Sequence, residues 1–416
     1  MQWTLLLLLL VMLWGCASWA PDRDADPSAP HPLLLRAGRW QAHLVSPGGP
    51  LEFGLDINAD GSSALWNGSE RIVVPATTVA AATVVFDLPH YDARIVARMD
   101  GAGRLTGSWK KRIGEAQWAQ LPFAATHEDR AEAPARARTA AADRFTGRWR
   151  VRFSSNDDPA VGIFSVDDSG AVEGTFMTTT GDYRFLAGQV EDGTLRLSCF
   201  DGAHAFLFKA IANEDGTLSG DFWSRDVWHE TWTAERDAAV ELPDAFGQTS
   251  WSEAVALSDL SFPDLAGHPT SLADPKFAGK ARVLQIFGSW CPNCHDAALY
   301  LGELHRRYSS RGLSIVGLAF EVTDDFARNV AIVQRYIERH DTPYPVLIAG
   351  PSDKAAATEA LRALDRVRSY PTTVFLHSDG RIRAIHTGFT GPATGAAYDA
   401  LRREFEGIIE ELLAED

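Results

Sequence analysis

Cysteine is scarce in this chain, with four residues in 416. That count excludes a disulfide-stapled scaffold, so stability has to come from apolar cores. With 45% hydrophobic side chains, the length allows two or three domains. Basic runs are missing too. Together with a net charge of −16, their absence argues against nucleic acid as a partner, because phosphate binding needs a dense basic face. The single CxxC has no second CxxC or paired histidine motif nearby, which removes a structural zinc site and leaves no metal or other cofactor expected.

What is present begins with an apolar block, MQWTLLLLLLVMLWG, over residues 1–15. At 1.5 Å per helical residue it is too short to cross a hydrocarbon core of about 30 Å comfortably, and it reads as a signal segment. Leu13-Trp14-Gly15-Cys16 resembles the lipobox of bacterial lipoproteins, although the segment has no Lys or Arg and Trp14 stands where a small residue is usual. The resemblance implies lipid attachment at Cys16, membrane association through that lipid, and residues 16–32 as a Pro- and Asp-rich tether in the bacterial envelope, facing the periplasm.

Residues 33–237 read as β structure, with alternating runs separated by turn signals such as Asp60-Gly61 and Asp192-Gly193. The pattern repeats. Gly38-Arg39-Trp40 recurs as Gly147-Arg148-Trp149, and GRLTGSW (103–109) as GTLSGDFW (216–223). The spacing predicts two copies of one all-β sandwich or barrel, at 33–125 and 144–237, joined by an Ala-, Arg- and Pro-rich linker at 126–143. Asp56, Asn58, Asp60 and Gly61 imitate the start of a calcium loop, but the twelfth position is Asn67 in place of Glu, so a hairpin turn is expected. Trp40, Trp109, Trp149, Trp223, Trp228 and Trp232 suit core or edge cover better than a ligand face. Cys199, in an alternating run, reads as a small buried hydrophobe.

From 238 to 416 strands and helices alternate, as in an α/β layout. A strand is expected at 281–287, a helix at 294–310, a strand at 313–320 and a helix at 326–340. A strand at 345–348 and a helix at 354–364 follow, then a hairpin at 373–377 and 381–386 and a closing helix at 397–413. The motif GSWCPNCHD (288–296) lies between the first strand and helix. Taken alone it fits either a redox disulfide or a haem attachment through His295. A haem would need an axial partner and an apolar pocket in a helical setting, whereas here His295 reads as a surface residue of a first helical turn.

Trp290-Cys291-Pro292-Asn293-Cys294 between strand and helix, followed far downstream by Tyr370-Pro371 before a hairpin strand, resembles the thioredoxin-fold domain of TlpA/ResA-type membrane-tethered thiol–disulfide oxidoreductases. The resemblance covers about two fifths of the chain. It implies a cis bond at Tyr370-Pro371 facing the CxxC, and Glu321 as an acid/base for the second cysteine. Implied substrates are disulfide-containing proteins, apocytochrome c cysteines among them, with electrons from a membrane thiol-transfer partner. Gln285 stands where thioredoxin itself has a buried Asp.

The chemistry follows from position. A helix N-terminus favours a thiolate, and lowering a thiol pKa from about 8.5 to about 7 raises the ionised share from a few per cent to about half. Cys291 is then the nucleophile and Cys294, one turn on, resolves the mixed disulfide. A reductase is the leading expectation. The alternatives are an oxidant using the same residues in reverse, and an envelope binding protein in which the β domains capture a ligand and the C-terminal domain is an adaptor.

Overall fold

A computed structural model describes residues 35–80, 82–130 and 140–415. Cys16, the signal segment and the whole 16–32 tether lie outside these residues, as do 131–139 between the β domains. Among the described residues no helix is long and apolar enough to cross a membrane.

The N-terminal region folds as two barrel-like sheets. In the first, nine antiparallel strands run from Gly38–Ser46 to Trp118–His127, which pair with each other; the edge strands Glu70–Val74 and Ala76–Ala80 each pair with one neighbour, Ser63–Asn67 and Thr83–Leu88, and not with each other. In the second, Pro159–Val166 pairs with both Gly147–Phe153 and Ala171–Thr178, and this extra pairing closes the sheet into a barrel. Alternation explains why both sheets roll up. In Gly38–Ser46 the positions of Trp40, Ala42 and Leu44 point inward and their neighbours outward.

The sequence repeat is a structural one. Trp40 and Trp149 are both buried, and each indole donates to the carbonyl four residues earlier: Trp40 to Arg36 at 3.1 Å and Trp149 to Phe145 at 2.9 Å. Gly107 and Gly220, matched in the second repeat, both sit where a strand presses on its neighbour. A Cβ there would lie 2.0 Å from the Val96 carbonyl oxygen and 2.3 Å from that of Lys209. Trp109 and Trp232 also fill cores, each large ring contributing roughly 2–3 kcal/mol by leaving water, whereas Trp228 is exposed. Asn58–Ser62 forms a turn between two strands, with Asp60 accepting from the Ser62 amide, and Cys199 is a buried free thiol. The barrels share a core, with the rings of Phe53 and Phe200 4.6 Å apart and the Asn67 side chain bonded to both the amide and the carbonyl of Phe200.

The C-terminal region carries a five-stranded sheet in the order Val346–Pro351, Leu313–Glu321, Ala281–Phe287, Thr372–His377, Ile382–Thr387. The first three strands are parallel and the last two antiparallel. Helices Pro292–Tyr308, Phe326–His340 and Ala396–Ala414 cover it. Ala281–Phe287 is central and almost wholly buried, which accounts for its continuous apolar run. The helix expected over 354–364 stops at Ala360, because Ala363 and Asp365 bond to the backbone of Ser252 and Ser250.

Candidate active site

The strand Ala281–Phe287 ends on Gly288-Ser289-Trp290, and the chain turns directly into the helix beginning at Pro292, with Cys291 as its cap residue. Gly288 is required by close approach: a Cβ there would meet the Trp290 ring nitrogen at 2.2 Å. Pro292 occupies the first helical turn, where its missing amide hydrogen is no loss. The Cys294 amide bonds back to the Cys291 carbonyl at 3.0 Å, which sets both sulfurs on one side of the first turn.

Opposite the cysteines, Tyr370-Pro371 is cis, and the Cys291 Sγ lies 3.5 Å from the Tyr370 carbonyl oxygen. Trp290 is held by its indole, which donates to Phe320 at 2.9 Å and meets the Tyr370 ring edge-on at 5.5 Å. Cys294 is fully buried, and burial together with the neighbouring Cys291 sulfur pushes its thiol well up. Left alone, Cys294 therefore stays protonated at neutral pH.

Glu321 ends the strand beside Ala281–Phe287. Its carboxylate accepts from the Ser289 amide at 3.0 Å and the Ser289 hydroxyl at 2.6 Å, two residues before Cys291. Burial pushes its carboxyl up to about 7, against the pull of the Ser289 bonds, which suits proton exchange near neutrality. Gln285 is buried, its side-chain oxygen accepting from the Thr373 hydroxyl at 2.8 Å.

His295 corrects the sequence expectation. It is 5% exposed, not a surface residue, and its ring spans Ser289 and His340. The Nε2 atom, 2.7 Å from the Ser289 carbonyl oxygen, must carry the hydrogen. Nδ1 then accepts from Nε2 of His340 at 2.6 Å. Burial first, and His340 next, hold His295 well below the usual imidazole range, so the ring is neutral. Among the described residues no group of three or more His, Cys, Asp or Glu is placed to hold a metal ion.

The barrels complete the site, which the sequence did not reveal. The turn between Ala171–Thr178 and the short strand Gly181–Asp182 leans on the active-site loops. The Thr180 carbonyl accepts from the Ser369 hydroxyl at 2.6 Å, the Asp182 carbonyl from the Asn293 side chain at 3.1 Å, and the Asp182 carboxylate from the Gly391 amide at 2.6 Å. Arg184 bonds the carboxylates of Asp296, on the active-site helix, and Glu70, in the first barrel. From the first barrel, Lys111 donates to the Trp290 carbonyl at 3.1 Å. The result is a covered dithiol, with Cys291 only 6% exposed.

A thioredoxin-like sheet presenting a CxxC at a strand-to-helix turn, with a facing cis-proline and a buried acid, is an arrangement that thiol–disulfide chemistry can use. The Redoxin family matches residues 252–401. The thioredoxin-like protein YneN of Bacillus subtilis is 30% identical over 130 residues, 31% of this chain and 68% of that protein. ResA, a thiol-disulfide oxidoreductase of Bacillus thuringiensis, is 29% identical over 119 residues, 29% of this chain and 60% of its own length. A solved thiol:disulfide interchange protein of the thioredoxin family from Chlorobium tepidum is 20% identical, covering 42% of this chain and 100% of that one at a TM-score of 0.29. The chain belongs to the thioredoxin-like thiol–disulfide oxidoreductases of the ResA/TlpA type, and the barrels up to Arg236 precede the matched segment.

Proposed function

We propose that this protein is an exported thiol–disulfide oxidoreductase that reduces disulfides of envelope proteins through Cys291 and Cys294. The observation that carries this reading is the placement of a protonated, buried Cys294 in the same turn as Cys291, with the carboxyl of Glu321 bonded to Ser289 beside them. The Cys291 thiolate attacks one sulfur of the substrate disulfide, forming a mixed disulfide and releasing the other sulfur as a thiol after protonation. Cys294 then gives its proton to Glu321 and attacks the Cys291 sulfur. The second substrate thiol leaves, and an intramolecular Cys291–Cys294 disulfide remains. The substrate gains two electrons, and a dithiol donor at the membrane restores the pair. Lipid on Cys16 anchors the chain near that donor.

The covered site adds a condition. For a protein disulfide to reach Cys291, the Thr178–Asp182 turn has to move off Ser369 and Asn293. The test uses Cys294→Ser, which lacks the resolving thiol. Incubated with oxidised insulin, it should accumulate a mixed disulfide visible on a non-reducing gel and cleared by dithiothreitol, while Cys291→Ser should trap nothing. Trapping by Cys291→Ser instead, or by neither variant, would contradict the assignment.

A further inference from the structure

Where the two barrels meet the redox domain there is a cavity of about 360 Å³, within the range of small-ligand sites. Lys111, Arg112, His204, Arg225 and Trp290 are among its lining residues, and no Asp or Glu lines it. Half-buried Arg225 and the 38% exposed Ile113 mark where it reaches the surface. Two of the basic side chains are already engaged. Arg112 bonds Asp92 at 2.7 Å and the Glu115 carbonyl at 2.6 Å, and His204 pairs with Asp201 at 3.1 Å.

Neither of the other two bonds a carboxylate directly, and Asp201 and Asp92 act on Lys111, and Asp226 on Arg225, only from farther away. Lys111 is buried and has the Trp290 carbonyl as its acceptor. Arg225 has a buried Nη1 atom with no hydrogen-bond partner, on a backbone in the left-handed region at φ 58°, a conformation that costs a non-glycine residue energy. Burial pushes Lys111 down to about 8 and lowers Arg225 as well, as expected of cations whose hydration is not fully replaced. An anion in the cavity would supply what both lack, beside the residue that precedes the nucleophile.

We infer that this cavity is a carboxylate subsite, selecting disulfide substrates that carry a negative charge close to the sulfur attacked by Cys291. The inference rests on Cys291 acting as the nucleophile. A small dicarboxylate disulfide and an acidic side chain next to a protein cysteine offer the same chemistry.

The pre-reduced full chain is mixed with three disulfides of similar size: anionic 3,3′-dithiodipropionate, neutral hydroxyethyl disulfide and cationic cystamine. Loss of the Cys291/Cys294 thiols is followed by rapid quench and alkylation. Dithiodipropionate should react about tenfold faster than the neutral disulfide, in the range that local electrostatics gives, and cystamine more slowly. Arg225→Gln should collapse the anionic-to-neutral ratio to within about twofold, and Arg225→Lys should retain it. Disulfide-linked peptides with Asp or Asn beside the cysteine identify the source: an Arg225-dependent Asp preference assigns a protein side chain, and its absence alongside a dithiodipropionate preference assigns a small disulfide. Equal rates for all three compounds and both peptides overturn the subsite while leaving the redox reading intact. No thiol loss with any of them overturns both.

Discussion

The side-chain amide of Asn293, between the two active-site cysteines, donates to the backbone carbonyl of Asp182 in the second barrel over 3.1 Å. The central dipeptide of the CxxC is thereby used as a docking point. Gly181, next to Asp182, has a positive φ, and a Cβ on it would lie 3.0 Å from that amide, so the turn approaches as closely as its residues allow.

Releasing this contact should uncover Cys291. Asn293→Ala removes a buried hydrogen bond worth about 1 kcal/mol, so the open form should become about fivefold more populated. Alkylation of Cys291 by a bulky maleimide, measured by mass spectrometry at fixed pH, should accelerate by that factor. An unchanged rate would mean that the turn does not limit access.

Glu321 should set the pH dependence of the second chemical step. Resolution of a mixed disulfide on Cys291 should quicken as pH rises through about 7, where the carboxyl ionises, and level off above it. In Glu321→Gln the rise should move into the far higher range of the buried Cys294 thiol, with a loss at neutral pH of about 10²-fold or more. Stopped-flow decay of the mixed disulfide across pH 5–10 reads both.

The same carboxyl affects stability. Its folded pKa of about 7 lies above the ordinary 4.5, so its contribution is fully present below 4.5 and is lost as pH rises through 7. The stability of the native protein relative to Glu321→Gln should therefore fall between those values and stay flat outside them. Urea melts at several pH values measure the difference.

Arg184 ties three units together. It is buried, bonds Glu70 and Asp296, and lies 3.5 Å from Asp201. Burial works against the cation, but these carboxylates outweigh it and hold its pKa well up. Arg184→Met would leave buried carboxylates without their partner, a loss of about 3–5 kcal/mol. Calorimetry should show a lower melting temperature, with barrel and redox-domain transitions separating.

Much of this was legible in the sequence because it is local. The apolar run at Ala281–Phe287, the helical spacing after Cys294 and the Ser378-Asp379-Gly380 turn each announce an element through nearest-neighbour periodicity. The Gly-Arg-Trp repeat announced the paired barrels because in both copies the glycine takes a positive φ and the indole bonds the carbonyl four residues earlier. What was hidden depends on residues far apart in the chain. No period in the helix starting at Pro292 indicates that Asn293 will meet Asp182, or that His295 will lie beneath Tyr91, Tyr336 and His340. Nor does any local signal place Lys111 against Trp290.

Whether Cys291 and Cys294 form a reversible, reducing dithiol is read in the reduction potential of the pair. The full chain is equilibrated in graded thiol buffers and the fraction of the two thiols protected from alkylation is read by mass. A single two-electron transition near or below about −250 mV, absent from Cys291→Ser, is the predicted result. A transition near about −120 mV would contradict the reducing direction, and no reversible transition at all would contradict the redox role itself.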